Sequence, residues 1–300
     1  MHYYFCFIDE ELSLCYVRVP TWVTCRLQIY FNGYNWLASQ LRKREIDFTL
    51  LDNAFVHVAD WTRAQKIADE LEVKQLHRRL DAFAGRFCPI HRSFGADYHW
   101  SMDQCEYSTD IVLGKQTDFQ AIYEHLSRTA IHTVKPDNIA TFLGKKLVPQ
   151  FEGEMGTASS PGWNVRIKGT RIKHTMGPVS LKLYDKFGLI LRIETTVNDL
   201  TFFRHYREVE HRDGSRETKW TSMQKTIYSL PALRQLLAAA NCRYLEFLST
   251  IEDPRNGCNK LDKLSWPRHH EGCSYPGFNL LDGDDEAQFR AIARGEFNIA

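Results

Sequence analysis

Residues 163–196 constrain the fold of this chain more than any other segment. They read WNVRIKGTRIKHTMGPVSLKLYDKFGLILRIETT, in which apolar and polar side chains alternate over stretches of strand length. Alternation at period two predicts strands that are buried on one face. Residues 186–188, Lys-Phe-Gly, predict a three-residue hairpin loop, because Gly188 can adopt the left-handed conformation that such a loop needs. The segment therefore predicts successive strands, the last two of which form a tight hairpin.

This loop fixes which residues face each other across the predicted hairpin. It pairs Tyr184 with Ile190 and Lys182 with Arg192. A slip of one residue would expose half of the apolar side chains, so pattern and loop support the same two faces. Two cations opposite each other are unfavourable unless an anion or Glu194 lies between them, which indicates a phosphate or carboxylate site. The apolar face comprises Leu181, Leu183, Leu191 and Ile193, and the polar face comprises Ser180, Lys182, Tyr184, Arg192 and Glu194.

The polar face of the hairpin holds the side chains that phosphodiester transfer onto a protein needs. Tyr184 would be the nucleophile, and Lys182 or Lys186 would lower its pKa from about 10. Arg192 would neutralise phosphate charge as a bidentate partner. Glu194 would hold a divalent metal ion or steer a proton. The same side chains also suit an ordinary salt-bridged strand face, and the sequence leaves that alternative open.

Acidic residues on an earlier predicted strand, EYSTDIVL, offer further metal ligands. Glu106 and Asp110 are four residues apart, roughly 13 Å along a strand, so they are too distant to share one ion directly. A carboxylate beside apolar strand residues is costly to bury without a cation, which favours Asp110. With Glu194 from the hairpin and His205 from a later strand, Asp110 completes the candidate metal set. Ordinary salt bridges at a strand end are the alternative.

Charge is distributed unevenly along the chain. The net charge is only +1, but residues 163–225 hold 13 Lys or Arg residues against 7 Asp or Glu residues, a local charge of +6. A basic segment in a near-neutral chain can mark a surface that faces a polyanion, although a solvated basic face is the commoner cause. The predicted nucleic-acid contacts are Arg166, Lys168, Arg171 and Lys173.

The pattern as a whole predicts an α+β fold, a mostly antiparallel sheet with helices packed on one face. Helices are expected over about 61–83, 119–128, 136–143 and 230–248. We expect three regions: an N-terminal α+β region at 1–95, a central sheet domain with the candidate site at 96–250, and an irregular tail at 251–300 that ends in a helix. Because the chain stops directly after that helix, we expect it to be a fragment.

The sequence also carries signals about location. The N-terminal stretch MHYYFCFIDEE has no basic segment and no long apolar core, so it does not resemble a secretory signal. No run approaches the roughly 18 apolar residues of a membrane helix. The eight cysteines include no C-x-x-C pair, and scattered cysteines in a non-secreted chain are mostly reduced. These observations predict a cytoplasmic protein without membrane contact.

The segment GTRIKHTMGPVSLKLYDKFGLILRIE resembles the strand–turn–strand core of the plasmid rolling-circle replication initiators of the Rep_trans type. EYSTDIVL likewise resembles the acidic strand that those proteins place beside their site, with Asp110 at the matching position. The resemblance implies that a tyrosine nicks one DNA strand through a phosphotyrosine intermediate, with Mg²⁺ or Mn²⁺ as cofactor. The matching hairpin positions are Gly169, Thr170, Arg171, Leu183, Tyr184, Asp185, Lys186, Arg192, Ile193 and Glu194.

Three functions remain open at this point. The first is an enzyme of a plasmid, phage or other mobile element that nicks and rejoins DNA strands. The second is a non-catalytic nucleic-acid-binding protein on the same scaffold, with basic residues on phosphates and Tyr or Trp residues stacked on bases. The third is a metal-dependent nuclease that uses Asp110, Glu194 and His205 without a covalent step. The expected partner is single-stranded or hairpin DNA.

Overall fold

The computed structural model describes residues 1–22, 26–94, 98–113, 116–163, 168–211, 213–250 and 267–277, together with Asp285 and Ala287. The chain divides into two compact units, Met1–Leu248 and Ser249–Ala300. The predicted boundary between residues 95 and 96 lies outside the described residues. So does most of the predicted tail.

Strands and helices follow each other along the first unit. The strands are β1 His2–Asp9, β2 Ser13–Pro20, β3 Gln28–Phe31, β4 Phe48–Leu51, β5 Ala54–Val58, β6 Cys105–Val112, β7 Met155–Trp163, β8 Lys168–Met176, β9 Val179–Lys186, β10 Ile190–Val197, β11 Arg204–Glu210 and β12 Arg216–Ser222. The helices are α1 Gly33–Lys43, α2 Trp61–Asp69, α3 Val73–Phe87, α4 Gln116–Thr133, α5 Pro136–Phe142 and α6 Leu230–Thr250. In the part of the chain that the structure describes, no helix is long and apolar enough to cross a membrane.

The second unit contains a short antiparallel hairpin in its described residues. Its strands are β13 Arg268–His270 and β14 Cys273–Tyr275. Both loop residues have positive φ angles, 49° at Glu271 and 80° at Gly272, as a two-residue hairpin loop of the I′ type requires. The sequence predicted irregular chain at these residues and a helix only at the end of the tail. It missed this hairpin because a Glu-Gly pair is a weaker hairpin signal than Asn-Gly or Asp-Gly.

The five-stranded sheet β6-β10-β9-β8-β7 is the centre of the first unit, and every neighbouring pair in it is antiparallel. One face is apolar, with Leu183 and Ile193 fully buried. Helices α4, α5 and α6 cover that face through Phe119, Phe142 and Tyr244. The predicted α+β fold, a mostly antiparallel sheet with helices on one face, is confirmed.

The β9–β10 hairpin differs from its predicted register by two positions. Its loop is residues 187–189 rather than 186–188, so Lys186 pairs with Ile190. Phe187 and Gly188 both have positive φ angles, 63° and 70°. A displacement by an even number of residues leaves each side chain on its face. The predicted polar and apolar faces are therefore confirmed, whereas the predicted residue pairs are wrong.

A second sheet, β1-β2-β3, forms the N-terminal part of the first unit with the β4–β5 hairpin and helices α1 to α3. Alternate residues on each strand point to opposite faces of the sheet. One face packs on α3, where Phe7 and Cys15 contact a cluster that includes Leu80 and Phe83. The opposite face of this sheet is exposed.

One fully buried histidine lies between the central sheet and its helices. The Nε2 atom of His174, on β8, lies 2.8 Å from the hydroxyl of Tyr244 on α6. Its Nδ1 atom lies 2.8 Å from the hydroxyl of Thr157 on β7. Burial lowers the pKa of His174 from 6.5 to about 4, because desolvation disfavours the charged imidazolium. The ring is therefore neutral at pH 7.

Candidate functional site

The polar face of the central sheet is the candidate site, and its side chains align in rows across the strands. Glu194 on β10 lies opposite Lys182 on β9, and Lys182 lies opposite Lys173 on β8. The like charges that oppose each other are therefore Lys182 and Lys173. The predicted opposition of Lys182 and Arg192 was wrong, because Arg192 pairs with Tyr184.

Glu194 binds two side chains of β9 through its two carboxylate oxygens. Its Oε1 atom accepts a hydrogen bond of 2.7 Å from Lys182, which also donates to the hydroxyl of Thr196. Its Oε2 atom accepts a hydrogen bond of 2.7 Å from Tyr184. Burial alone would raise the pKa of Glu194, but the hydrogen bond and charge of Lys182 and the hydrogen bond of Tyr184 lower it below its ordinary value. Glu194 is therefore an ionised carboxylate that accepts a hydrogen bond at each of its oxygens.

Tyr184, the predicted nucleophile, is 7% exposed. Burial raises its pKa, and the adjacent charge of Glu194 raises it further. The pKa is thus shifted in the opposite direction to the predicted lowering by Lys182 or Lys186. The physical reason is that Lys182 points its charge at Glu194, so the nearest charge to the phenol is a carboxylate. The hydroxyl acts as a neutral donor in this network.

Arg192 joins the central sheet to the N-terminal part of the unit. Its Nε and Nη2 atoms donate to the two oxygens of Asp110 on β6, each at 2.6 Å. Nη2 also donates to the backbone carbonyl of Asn53 at 2.8 Å. The guanidinium lies 4.6 Å from the ring centroid of Tyr34 on α1, whose hydroxyl donates to Asp110. With 1% of its surface exposed, Arg192 is one of the most deeply buried charges of the described chain.

Lys186 ends β9 beneath the turn between β4 and β5. Its Nζ atom donates to the side chain of Asn53 and lies 3.6 Å from Asp52. Burial lowers the pKa of Lys186 to about 8, and the charge of Arg192 lowers it as well. Its hydrogen bond to Asn53 joins the end of β9 to the N-terminal part of the unit.

These contacts define a closed half of the polar face, in which every named cation has a carboxylate partner. The β4–β5 turn and the Tyr34 side chain cover it. Charge in the closed half is balanced pair by pair, which leaves little positive potential for a phosphate. The ion pairs are Lys182 with Glu194, Lys186 with Asp52, and Arg192 with Asp110.

The open half of the polar face consists of Arg171 and Lys173 on β8. Both side chains are exposed, and neither forms a salt bridge with any other described residue. The residues opposite them on β7 are Ser160 and Ala158, which are too small to cover them. This half therefore presents unneutralised positive charge to solvent.

The remaining predicted nucleic-acid contacts cannot be placed with them. Arg166 lies outside the described residues. Lys168 begins β8, where its backbone pairs with Trp163, but its side chain lies outside what the structure describes. Of the four predicted contacts, the structure brings Arg171 and Lys173 together on one exposed face.

The candidate metal ligands are not brought together. Asp110 is bound by Arg192 and Tyr34, whereas Glu194 is bound by Lys182 and Tyr184. His205 lies on β11, in a separate two-stranded sheet with β12. Across the described ranges, no group of three or more His, Cys, Asp or Glu side chains could hold a metal ion.

Residues that the sequence did not indicate complete the closed half. Tyr34 and Asn53 reach it from positions 76 and 139 residues away in the chain from their partners Asp110 and Arg192. No local pattern marks either residue, because each acts through the packing of the N-terminal part of the unit on the central sheet.

Comparison of the chain with protein-family models, with curated proteins and with solved structures gave no match. The function of the chain therefore has to be inferred from the geometry of the polar face.

Proposed function

We propose that this chain is a nucleic-acid-binding protein that contacts phosphates through the open half of the polar face, without strand nicking by Tyr184. The observation that carries the proposal is the opposition of Lys173 and Lys182. Glu194, the carboxylate beside them, already accepts hydrogen bonds at both oxygens. Like charges opposite each other in a sheet are destabilising. Because Lys182 is already paired with Glu194, the exposed cations of β8 are the ones that a phosphate would neutralise. Arg171 is two residues along the same strand and so shares the face.

The closed half supports binding rather than nucleophilic catalysis. A nucleophile must reach the phosphorus atom and must lose its proton. Tyr184 is buried and its pKa is raised by that burial and by Glu194. Glu194 would be the base, but Lys182 lowers its pKa, which makes it a poor proton acceptor. The phenol therefore keeps its proton.

The proposal is tested by fluorescence anisotropy with a labelled single-stranded oligo-dT over a range of salt concentrations. We expect the wild-type chain to bind and Arg171→Glu/Lys173→Glu to lose affinity about tenfold or more. The slope of log affinity against log salt should fall by about 1.4, since each lost phosphate contact on a single strand removes about 0.7. The matched control is Arg63→Glu/Lys66→Glu on α2, whose side chains are also exposed and which changes the net charge equally.

Two results would overturn the proposal. One is equal binding by the β8 variant and the α2 control, which would show a net-charge effect only. The other is a covalent protein–DNA adduct after incubation with Mn²⁺ and denaturation, if Tyr184→Phe abolishes it. That second result would restore the replication-initiator-like nicking enzyme. Cleavage without an adduct would point instead to a metal-dependent nuclease.

A further inference from the structure

The outer face of the β1-β2-β3 sheet exposes three tyrosine rings. Tyr4, Tyr16 and Tyr30 are 72%, 46% and 59% exposed. Tyr16 lies opposite Tyr30 in the β2–β3 pairing, with ring centroids 6.2 Å apart. The rings cannot turn inward, because a one-residue slip of a strand would carry its core residues to solvent. This ring pair, with Tyr4 on the same face, is a candidate binding surface.

This face also carries a cation. Its one charged side chain among the described residues is Arg18, which lies opposite Tyr4. Arg18 donates to the side-chain oxygen of Gln28 at 2.8 Å and lies 2.6 Å from a ring nitrogen of His2. No carboxylate of the described part of this face offsets the guanidinium charge. The exposed rings could stack on nucleobases, and the guanidinium of Arg18 could lie beside a phosphate.

Tyr30 connects this face to the polar face of the central sheet. Partial burial of its hydroxyl raises its pKa, and the nearby charges of Glu106 on β6 and Glu194 on β10 contribute to the same shift. Across the sheet from Glu194, Lys182 and Lys173 follow on the next two strands, a span of about 10 Å. Tyr34, four residues after Tyr30 in the chain, donates to Asp110 on the polar face at 3.0 Å, so β3 ends beside that face.

We infer that the outer face of β1-β2-β3 stacks the bases of single-stranded DNA whose phosphates lie on the open half of the polar face. This inference rests on the proposed function and adds which face meets the bases. Stacking needs unpaired bases, which excludes duplex DNA as the ligand of these rings.

The inference is tested with Tyr4→Ser/Tyr16→Ser/Tyr30→Ser in the same anisotropy assay. We expect affinity for single-stranded oligo-dT to fall about tenfold or more, since stacking on one ring alone contributes about tenfold. The salt slope should stay unchanged, because no phosphate contact is lost. The Phe versions of the three substitutions keep the rings and should restore binding. Tyr206→Ser/Trp220→Ser, on two exposed rings of the β11–β12 hairpin, is the matched control.

The outcomes separate the inference from the proposed function. If the triple Ser variant binds oligo-dT like the wild type while Arg171→Glu/Lys173→Glu fails to bind, the inference is wrong and the proposed function stands. If the wild type does not bind, both are wrong. Tighter binding of oligo-rU, lost in the Ser variant, would assign the rings to RNA. A wild-type dimer that the Ser variant converts to monomer would assign them to self-association.

Discussion

The two halves of one sheet face use the same residue types in opposite ways. In the closed half, Arg192 is buried against Asp110, with a 2.6 Å hydrogen bond at each carboxylate oxygen. In the open half, Arg171 and Lys173 are exposed and form no ion pair with any residue that the structure describes. The difference arises from what lies above the sheet: the β4–β5 turn and Tyr34 cover the first half, and the small residues of β7 flank the second.

This contrast separates a structural role from a binding role. A buried cation that satisfies a buried carboxylate cannot also neutralise a ligand without leaving that carboxylate unpaired. An exposed cation without a carboxylate partner can bind a ligand anion and leaves no buried charge unpaired. The side chains that best match a catalytic pattern in sequence, Tyr184 and Arg192, are therefore the ones committed to holding the fold. The less conspicuous pair on β8 is available for a partner.

The largest expected effect that tests this contrast is that of Arg192→Met. Removing one member of a buried ion pair leaves an uncompensated charge, at Asp110, and costs about 3–5 kcal/mol. Arg171→Met, the matched change in the open half, should alter stability by less than about 0.5 kcal/mol. Urea unfolding of the two variants measures both values.

A second variant shows whether Arg192→Met loses stability because the Asp110 carboxylate is left without its ion-pair partner. Arg192→Met/Asp110→Leu removes both charges and should recover most of the lost stability, as apolar replacements of buried ion pairs often do. If Arg192→Met and Arg171→Met are equally stable, the two halves do not differ as described.

A smaller effect concerns the helix-packed side of β8, where His174 is buried without any charge partner among the described residues. Its pKa is lowered by burial to about 4 in the folded chain from 6.5. The unfolded chain therefore binds a proton first as pH falls, and stability is lost between about pH 6.5 and about pH 4, by about 3 kcal/mol. Above pH 6.5 the contribution is complete and constant. Urea unfolding across this pH range measures the loss.

His174→Gln supplies the comparison for that titration. Glutamine can bond Tyr244 but does not titrate, so the variant should be less stable at neutral pH and should approach the wild type as pH falls. A constant difference between the two proteins over the range would contradict the assigned pKa shift.

Sequence reasoning found the two faces of the hairpin but not its register. The faces depend only on alternation, which survives any even displacement. The register depends on the loop, and the observed loop places both Phe187 and Gly188 at positive φ. Phenylalanine rarely adopts that conformation, so turn rules place glycine alone there and choose the loop one residue earlier. The misplaced loop produced the wrong cation pair.

Local sequence patterns predicted neither the break between α2 and α3 nor the contacts between residues that are distant in the chain. The segment predicted as a single helix over 61–83 is two helices, α2 and α3, separated at residues 70–72. The intervening Glu-Leu-Glu contains no helix breaker, and Leu71 packs against the cluster of Trp36 and Leu76 instead. Tertiary packing overrides propensity there, and the contact between Arg192 and Asn53 joins residues 139 positions apart in the chain.

The smallest effect tests the like-charge opposition on which the proposed function depends. Lys173→Met removes a charge that faces Lys182 across β8 and β9, so it should raise the free energy of unfolding by a few tenths of a kcal/mol at low salt. The gain should vanish at high salt, where exposed charges are screened, while affinity for oligo-dT falls. Lys182→Met should instead destabilise the fold, because Glu194 would lose its ion pair. Destabilisation by Lys173→Met at low salt would mean that the lysine has a stabilising partner, and the open half would then be no site for an anion.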